Sequence, residues 1–332
     1  MTTRGHLPSS LMLYILTLLA LFLSSCDLST FQADQNTQQT QHSTFTGSTA
    51  PITYSTGPHD LLVRTFHGGG LQGSLQFGPD VSIYGDGSYI IGLNQQGKLT
   101  TQALQQLLNT LVDTYGLLDL KRQQFADIPD QNAAFLELAL NNKQVELMYG
   151  TLSSQQTNKQ DMDEYQRLGK ALTALIEALK GPLHPYNSTA SALLVHQVFG
   201  VDYTKTILYW RLPDFTLAEL ARYECSDPST DYTSPNSETG CLKYLIPTHA
   251  LLLTGQQFQF LQQQVNCTQA SCLQWQGIFA ERGSYYTTTL RPLLPDEQNT
   301  KTLAMFGSAQ SSFKGVPLSE GTVPPATPTP AT

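Results

Sequence analysis

Four of the five cysteines, Cys225, Cys241, Cys267 and Cys272, fall within one stretch of the C-terminal half. Sulfurs at such spacings either bind zinc or pair with one another. A zinc site calls for C-x-x-C steps or a histidine close by, and neither pair offers them. An even set in an exported chain pairs as disulfides, because the compartment outside the membrane is oxidising. Of the three possible pairings, Cys225 with Cys241 and Cys267 with Cys272 close local, polar, turn-rich loops. A loop of the first size is worth about 3 kcal/mol in chain-entropy models, and the tighter second loop less. The first loop also gathers Glu224, Asp227, Asp231 and Glu238. Carboxylates held on a loop can take calcium, but this set lacks the glycine and the ligand order of a calcium loop and reads as a solvated acidic face.

Other groups with chemistry in reach lead to bland readings. His67-Gly68-Gly69-Gly70 resembles the glycine-rich oxyanion segment of esterases, yet no G-x-S-x-G elbow accompanies it, so it reads as a strand ending in a glycine turn. Phosphate-binding, H-E-x-x-H and D-x-D-x-D-G patterns do not occur. The seven histidines stand singly, and His196, within a strand, reads as a satisfied or exposed residue. Trp210, Trp275, Tyr285 and Tyr286 can line a groove, but at strand spacing they read as core or cross-strand stacking. No catalytic, cofactor or metal residue is assigned.

The remaining cysteine, Cys26, ends a different kind of segment. Leu11 to Leu23 is apolar and about half the length of a spanning helix; it follows Arg4 and closes in small residues, as a secretory signal does. Leu23-Ser24-Ser25-Cys26 resembles the lipobox of bacterial lipoproteins, which implies a diacylglycerol on the Cys26 thiol and Cys26 as the first mature residue. Two acyl chains at about 0.8 kcal/mol per buried methylene hold a protein on a membrane without a spanning helix. The expected place is the cell membrane, lipid-anchored and facing the extracytoplasmic side. A formal charge of −8, with 13% charged residues and no basic cluster interleaved with aromatics, excludes a nucleic-acid partner.

The body that the tether carries divides by composition and period. Residues 1–25 are the signal, and 26–58 a Gln/Thr/Ser-rich flexible linker. Residues 59–184 form a first block, 190–314 a second block with two disulfides, and 315–332 a Thr/Pro-rich disordered tail. In the first block, Asp60 to Phe66 reads as a strand. Val81 and Ile83 alternate against Tyr89, Ile91 and Leu93 across Tyr84-Gly85-Asp86-Gly87, where Asp-Gly is a hairpin signal. Leu104, Leu107, Leu108, Leu111, Val112 and Tyr115 then follow a helical period up to Gly116. A second hairpin turns at Asn141-Asn142 with Glu137 and Glu146 outward on a wet face. A helix over 163–180 carries Tyr165, Leu168, Leu172, Leu175, Ile176 and Leu179 inward. In the second block, 193–199 and 206–212 read as strands, Thr254-Gly-Gln-Gln257 as a helix start, and 274–280 with 285–290 as a hairpin turning at Arg282-Gly283. The whole is an α+β fold, antiparallel sheets with helices packed on one face, in two similar-sized blocks.

Gly68-Gly69, Tyr84-Gly85-Asp86-Gly87-Ser88, Tyr115-Gly-Leu-Leu118, Leu212-Pro213-Asp214, Leu253-Thr254-Gly255 and the run Arg291 to Glu297 (RPLLPDE) resemble, in this order, a family of exported bacterial lipoproteins without an established activity. The resemblance implies that both blocks form one unit at the cell envelope, and it transfers no site residue. The first block is also similar in element order to small proteinaceous inhibitors of metalloproteases. The expected function is a non-enzymatic binding module for a protein, a wall polymer or a small ligand. An envelope hydrolase with a dispersed site and a protease-binding module are the alternatives.

Overall fold

The run Leu61–Gly69 forms β1, the strand about which the first sheet is assembled. The computed structural model describes residues 52–69, 78–128, 131–153, 158–198, 200–201, 204–212, 215–225, 245–267, 275, 277–304 and 315–320. The chain divides at Thr44/Phe45 into two units, and every described residue belongs to the second. The signal segment and Cys26 lie outside the described residues. None of the described helices is long and apolar enough to cross a membrane.

Strands β2 (Val81–Tyr84), β3 (Ser88–Ile91), β4 (Gln95–Lys98), β5 (Gln124–Phe125), β6 (Asn132–Leu140), β7 (Lys143–Tyr149) and β8 (His184–Pro185) join β1 in the order β5-β7-β6-β1-β2-β3-β4-β8. All neighbours are antiparallel except β5 with β7. The two expected hairpins are present. Gly87, at φ 85°, donates to the Tyr84 carbonyl at 2.9 Å and reverses the chain. Asn141 and Asn142 both take positive φ, as a two-residue β-hairpin loop requires, and so pair Leu138 with Val145 and Leu136 with Leu147.

The helical stretch that begins at Thr101 is α1 (Thr101–Asn109), capped by the Thr100 hydroxyl and prolonged by one π turn over Thr110–Thr114. Gly116, left-handed at φ 62°, ends it. The second helix, α2 (Lys159–Ala178), starts four residues before the expected Asp163. Its polar first turn carries no apolar signal, and the start is set by Asn158, whose side chain accepts from the Asp161 amide at 2.8 Å. Ile176, expected inward, is 57% exposed. Glu164 turns inward instead and accepts the Lys121 and Arg122 amides, each at 3.1 Å. The inward leucines of both helices close on Val63, Ile83, Leu136, Leu138 and Leu147, the core on one face of the first sheet.

The second sheet has the order β10-β14-β15-β9-β13-β17-β16. Its strands are β9 (Ala190–Val198), β10 (Ile207–Tyr209), β13 (Ala250–Thr254), β14 (Ile278–Glu281), β15 (Ser284–Pro292), β16 (Thr302–Leu303) and β17 (Val316–Glu320). Two short strands, β11 (Tyr223–Cys225) and β12 (Leu245–Pro247), pair apart. The expected turn at Arg282-Gly283 has both residues at positive φ. Helices α3 (Leu217–Leu220) and α4 (Gly255–Val265) cover one face, packing Leu217, Leu220, Leu261 and Val265 on Leu193, Val195, Leu251 and Leu253.

Both outer limits of the expected folded body move outward. Ile52 belongs to the first core, and Thr53 is tied to the hairpin by its amide on Asn141 Oδ1 (2.7 Å) and its carbonyl on the Asn141 amide (2.8 Å). One apolar residue in a polar run left no pattern to read. At the other end, the tail does not begin at 315, because β17 lies inside the second sheet between β13 and β16. Val316 and Leu318 alternate inward there while Pro317 and Ser319 face out. Composition averaged over 315–332 hid this five-residue alternation in the Thr/Pro stretch that follows.

Candidate functional site

The outer face of the first sheet, opposite its helices, carries alternate residues of β1, β2, β3 and β6: Arg64, Phe66, Ser82, Tyr84, Ile90, Phe135 and Glu137. Solvent does not reach most of them. Arg64 is 4% exposed and Glu137 9%, and Ser82 and Tyr84 are fully buried. The wet face read from the outward-alternating Glu137 and Glu146 is therefore covered over Glu137.

The cover is the arm that follows β15, including the one-and-a-half-turn helix α5 (Pro295–Thr300). Its successive residues grip opposite sheets. Leu293 packs with Ala190, Ala192 and Leu252 of the second sheet, whereas Leu294 packs with Tyr84, Ile90 and Leu93 of the first. The step repeats at Leu303 and Ala304, the latter set among Phe66, Phe135 and Met148. An internal ion pair fixes the arm. Arg291 and Glu297 have no exposed side-chain surface and bond through both guanidinium Nη atoms at 2.6 and 2.7 Å. Glu297 also accepts the amides of Leu294 (2.8 Å) and Ala304 (2.7 Å), so one carboxylate closes both ends of the turn.

Between those ends stands Asp296. Its two oxygens receive Arg64 Nη2, each at 2.8 Å, and Oδ1 also receives the Tyr84 hydroxyl at 2.9 Å. Arg64 Nε reaches Ser82 Oγ at 3.3 Å. Its Nη1 has no partner among the described residues. Burial alone would lower the Arg64 pKa, but the facing Asp296 carboxylate raises it, so the guanidinium stays charged. Burial first, and then Asp296 and the other charges around it, push the Tyr84 hydroxyl well up.

Arg64, Asp296 and Glu137 line an open cleft of about 1040 Å³. One wall is the segment Thr53–Leu62, another the β6–β7 turn with Asn141, Asn142, Lys143 and Gln144, and the third the arm with Thr300, Thr302 and Ala304. The Glu137 carboxyl is raised by burial, against the pull of Arg64, and it accepts the Gln144 amide at 3.0 Å. Its cross-strand partner Glu146 is raised by burial too, with Glu137 as the second cause. Asp60, at the rim, is lowered by the Ser55 hydroxyl and the Gly57 amide that donate to it. His59 does not complete a Ser-His-Asp relay there, because its Nδ1 lies 2.8 Å from the Pro295 carbonyl oxygen.

The residues singled out by sequence lie elsewhere. His67, Gly68 and Gly69 continue β1 opposite Ala134, Ala133 and Asn132, so these glycines extend the strand rather than turn it, and His67 bonds to Asp80. His196 sits on β9, edge-on to Tyr223. Trp210 and Trp275 each pack 5.2 Å from the Phe279 ring, in the second core. Tyr286 is buried and Tyr285 half-buried. Cys267, half-buried just beyond α4, is disulfide-bonded. Cys26, Cys241 and Cys272 lie outside the described residues, as do Asp227, Asp231 and Glu238, and for Cys225 and Glu224 only the backbone, in β11, is described. The described residues hold no cluster of three or more metal-binding side chains.

Sequence reading missed Arg64, Glu137 and Asp296 as a group. The available signal was a charge inside each of three apolar runs, LLVRTF, FLELAL and PLLPDE. Scans against protein-family models, curated proteins and solved structures found no match to the chain.

Proposed function

We propose that the protein is a lipid-anchored extracytoplasmic binding protein, held to the membrane through Cys26, whose ligand enters the cleft between the first sheet and the arm. The observation that carries this reading is the mutual use of the cleft's ionisable groups. Both Asp296 oxygens are engaged by Arg64 and Tyr84, Glu137 holds the Gln144 amide, and Asp60 holds Ser55. Groups committed in this way orient a ligand; they do not shuttle protons. The lipobox-like Leu23 to Cys26 and the Gln/Thr/Ser-rich run after it support the tether, and for that oxidising compartment we propose the pairings Cys225–Cys241 and Cys267–Cys272.

Expression of the full chain in a lipoprotein-competent host, with labelled palmitate, tests the tether. The chain should take up label and fractionate with membranes, and Cys26→Ala should abolish both while leaving the far-UV circular dichroism of the body unchanged. Label retained in Cys26→Ala refutes it.

One observation favours the hydrolase alternative, the Glu137 carboxyl, raised by burial, on the same cleft floor as the Asp296 carboxylate paired with Arg64. On that reading Glu137→Gln abolishes cleavage of an envelope polymer. On the binding reading no cleavage is detected in either form. The protease-binding alternative looks to a protruding loop or exposed sheet edge at His67 to Gly78; His67–Gly69 lie in β1 between β6 and β2, and residues 70–77 lie outside the described residues.

A further inference from the structure

Resting on the binding reading of the cleft, we infer that its ligand is an uncharged, polyhydroxylated chain, an oligosaccharide segment, recognised by hydrogen bonds on a charge-balanced floor. An anionic ligand needs a cation that is not already neutralised. Arg64 is paired with Asp296 at 2.8 Å, and Lys143 at the rim is paired with Asp119 at 3.0 Å. A cationic ligand needs an unopposed carboxylate; Asp296 is neutralised by Arg64, burial raises the Glu137 carboxyl, and Asp60 is turned through Oδ2 to the Ser55 hydroxyl and the Gly57 amide. What the cleft offers is polar but balanced. Arg64, with a 5% exposed side chain, lines the cleft, and its Nη1 has no partner among the described residues.

Asn142, Gln144 and Thr302 add neutral groups that both donate and accept. Tyr54, Leu61 and Ala139 also line the cleft and add apolar surface to it, which the C–H faces of a sugar ring can use. Size points the same way. Small-molecule pockets run from about 300 to 1,000 Å³ and bury most of their ligand, whereas this cleft has 1040 Å³ and is open along one side, which suits consecutive rings of a chain.

The test is calorimetric titration of the mature-length chain with chitohexaose, cellohexaose and maltohexaose as neutral probes and hexagalacturonate as an anionic one, at low and high salt. At least one neutral hexamer should bind with an affinity that is unchanged by salt, since screening acts only on net charge. Arg64→Lys keeps the ion pair's charge but loses the free Nη1 donor, and should weaken binding more than tenfold. Gln144→Ala, at an exposed position that the fold tolerates, should weaken it about three- to tenfold, the worth of one hydrogen bond. Preferred, salt-sensitive binding of hexagalacturonate overturns the inference, as does neutral binding indifferent to both substitutions. If no hexamer binds, hydrogen exchange with isolated cell-wall material separates the two claims. Protection confined to Ala139–Gln144 and the arm that survives prior digestion of the material's glycans keeps the cleft as the binding site and discards the saccharide, whereas protection lost on digestion keeps both. No protection there discards both.

Discussion

Replacing Glu297 by Gln tests whether the arm holds the two sheets together. The carboxylate is wholly buried, carries two bonds from Arg291 at 2.6 and 2.7 Å and accepts the amides of Leu294 and Ala304. Gln keeps the shape and one acceptor oxygen but leaves the Arg291 charge buried without its counter-ion. Breaking such a pair from one side costs about 3–5 kcal/mol, and in a body of this size each kcal/mol shifts the melting temperature by about 2–4 °C. A fall on the order of 10 °C is expected, measured by thermal and urea unfolding.

Both tryptophans, Trp210 and Trp275, sit in the second block, so their fluorescence follows that block while circular dichroism follows both. In the parent chain the two transitions should coincide. In Glu297→Gln they should separate, because loss of the turn frees Leu294 and Ala304 from the first sheet. Arg291→Leu in the same chain removes the stranded charge and should restore at least half of the loss. A single substitution costing under about 1 kcal/mol, or a double variant no better than the single one, refutes the reasoning.

Three further outcomes follow from local geometry. Glu137 has a raised pKa in the folded state, so folding takes up protons between the ordinary carboxylate range and that higher value, and stability falls as pH rises through this window. Glu137→Gln should flatten the fall, gaining on the parent at neutral pH and not at pH 4, as urea midpoints read. A methyl on Gly85 would lie 1.9 Å from the Ser55 carbonyl oxygen; Gly85→Ala should cost about 1–3 kcal/mol and loosen the Thr53–Asp60 wall, visible as faster amide exchange there. Asn158→Ala removes the α2 cap and should cost about 1 kcal/mol by denaturant unfolding.

Local signals carried most of the architecture. Gly87, Asn141-Asn142 and Gly283 are residue types that accept the positive φ of a reversal, and the leucines of α1 repeat at helical spacing, so these elements were legible. Where a polar residue is buried for a partner far away in sequence, the pattern misleads. Glu164 turns inward for the amides of Lys121 and Arg122, which takes α2 off the stripe that Ile176 suggested. Glu137 alternates outward as expected, but the surface outside it is the arm that carries Asp296, which no periodicity in β6 can announce. The cleft was illegible for the same reason. Its floor is made by pairing residues 64 and 296, and neither run contains the other's charge requirement.

The arm also imposes an order of events on a chain made from its amino end. Strands β1 to β8 come from residues 61–185 and find one another early, yet their lid is made only with residues 293–304, and β17 comes later still. At synthesis rates of about 5–20 residues per second, the guanidinium of Arg64 spends on the order of ten seconds in water before Asp296 exists. Until then that face sets the Arg64 charge among Phe66, Tyr84, Ile90 and Phe135, and the same charge becomes the floor of a cleft once the last third of the polypeptide arrives.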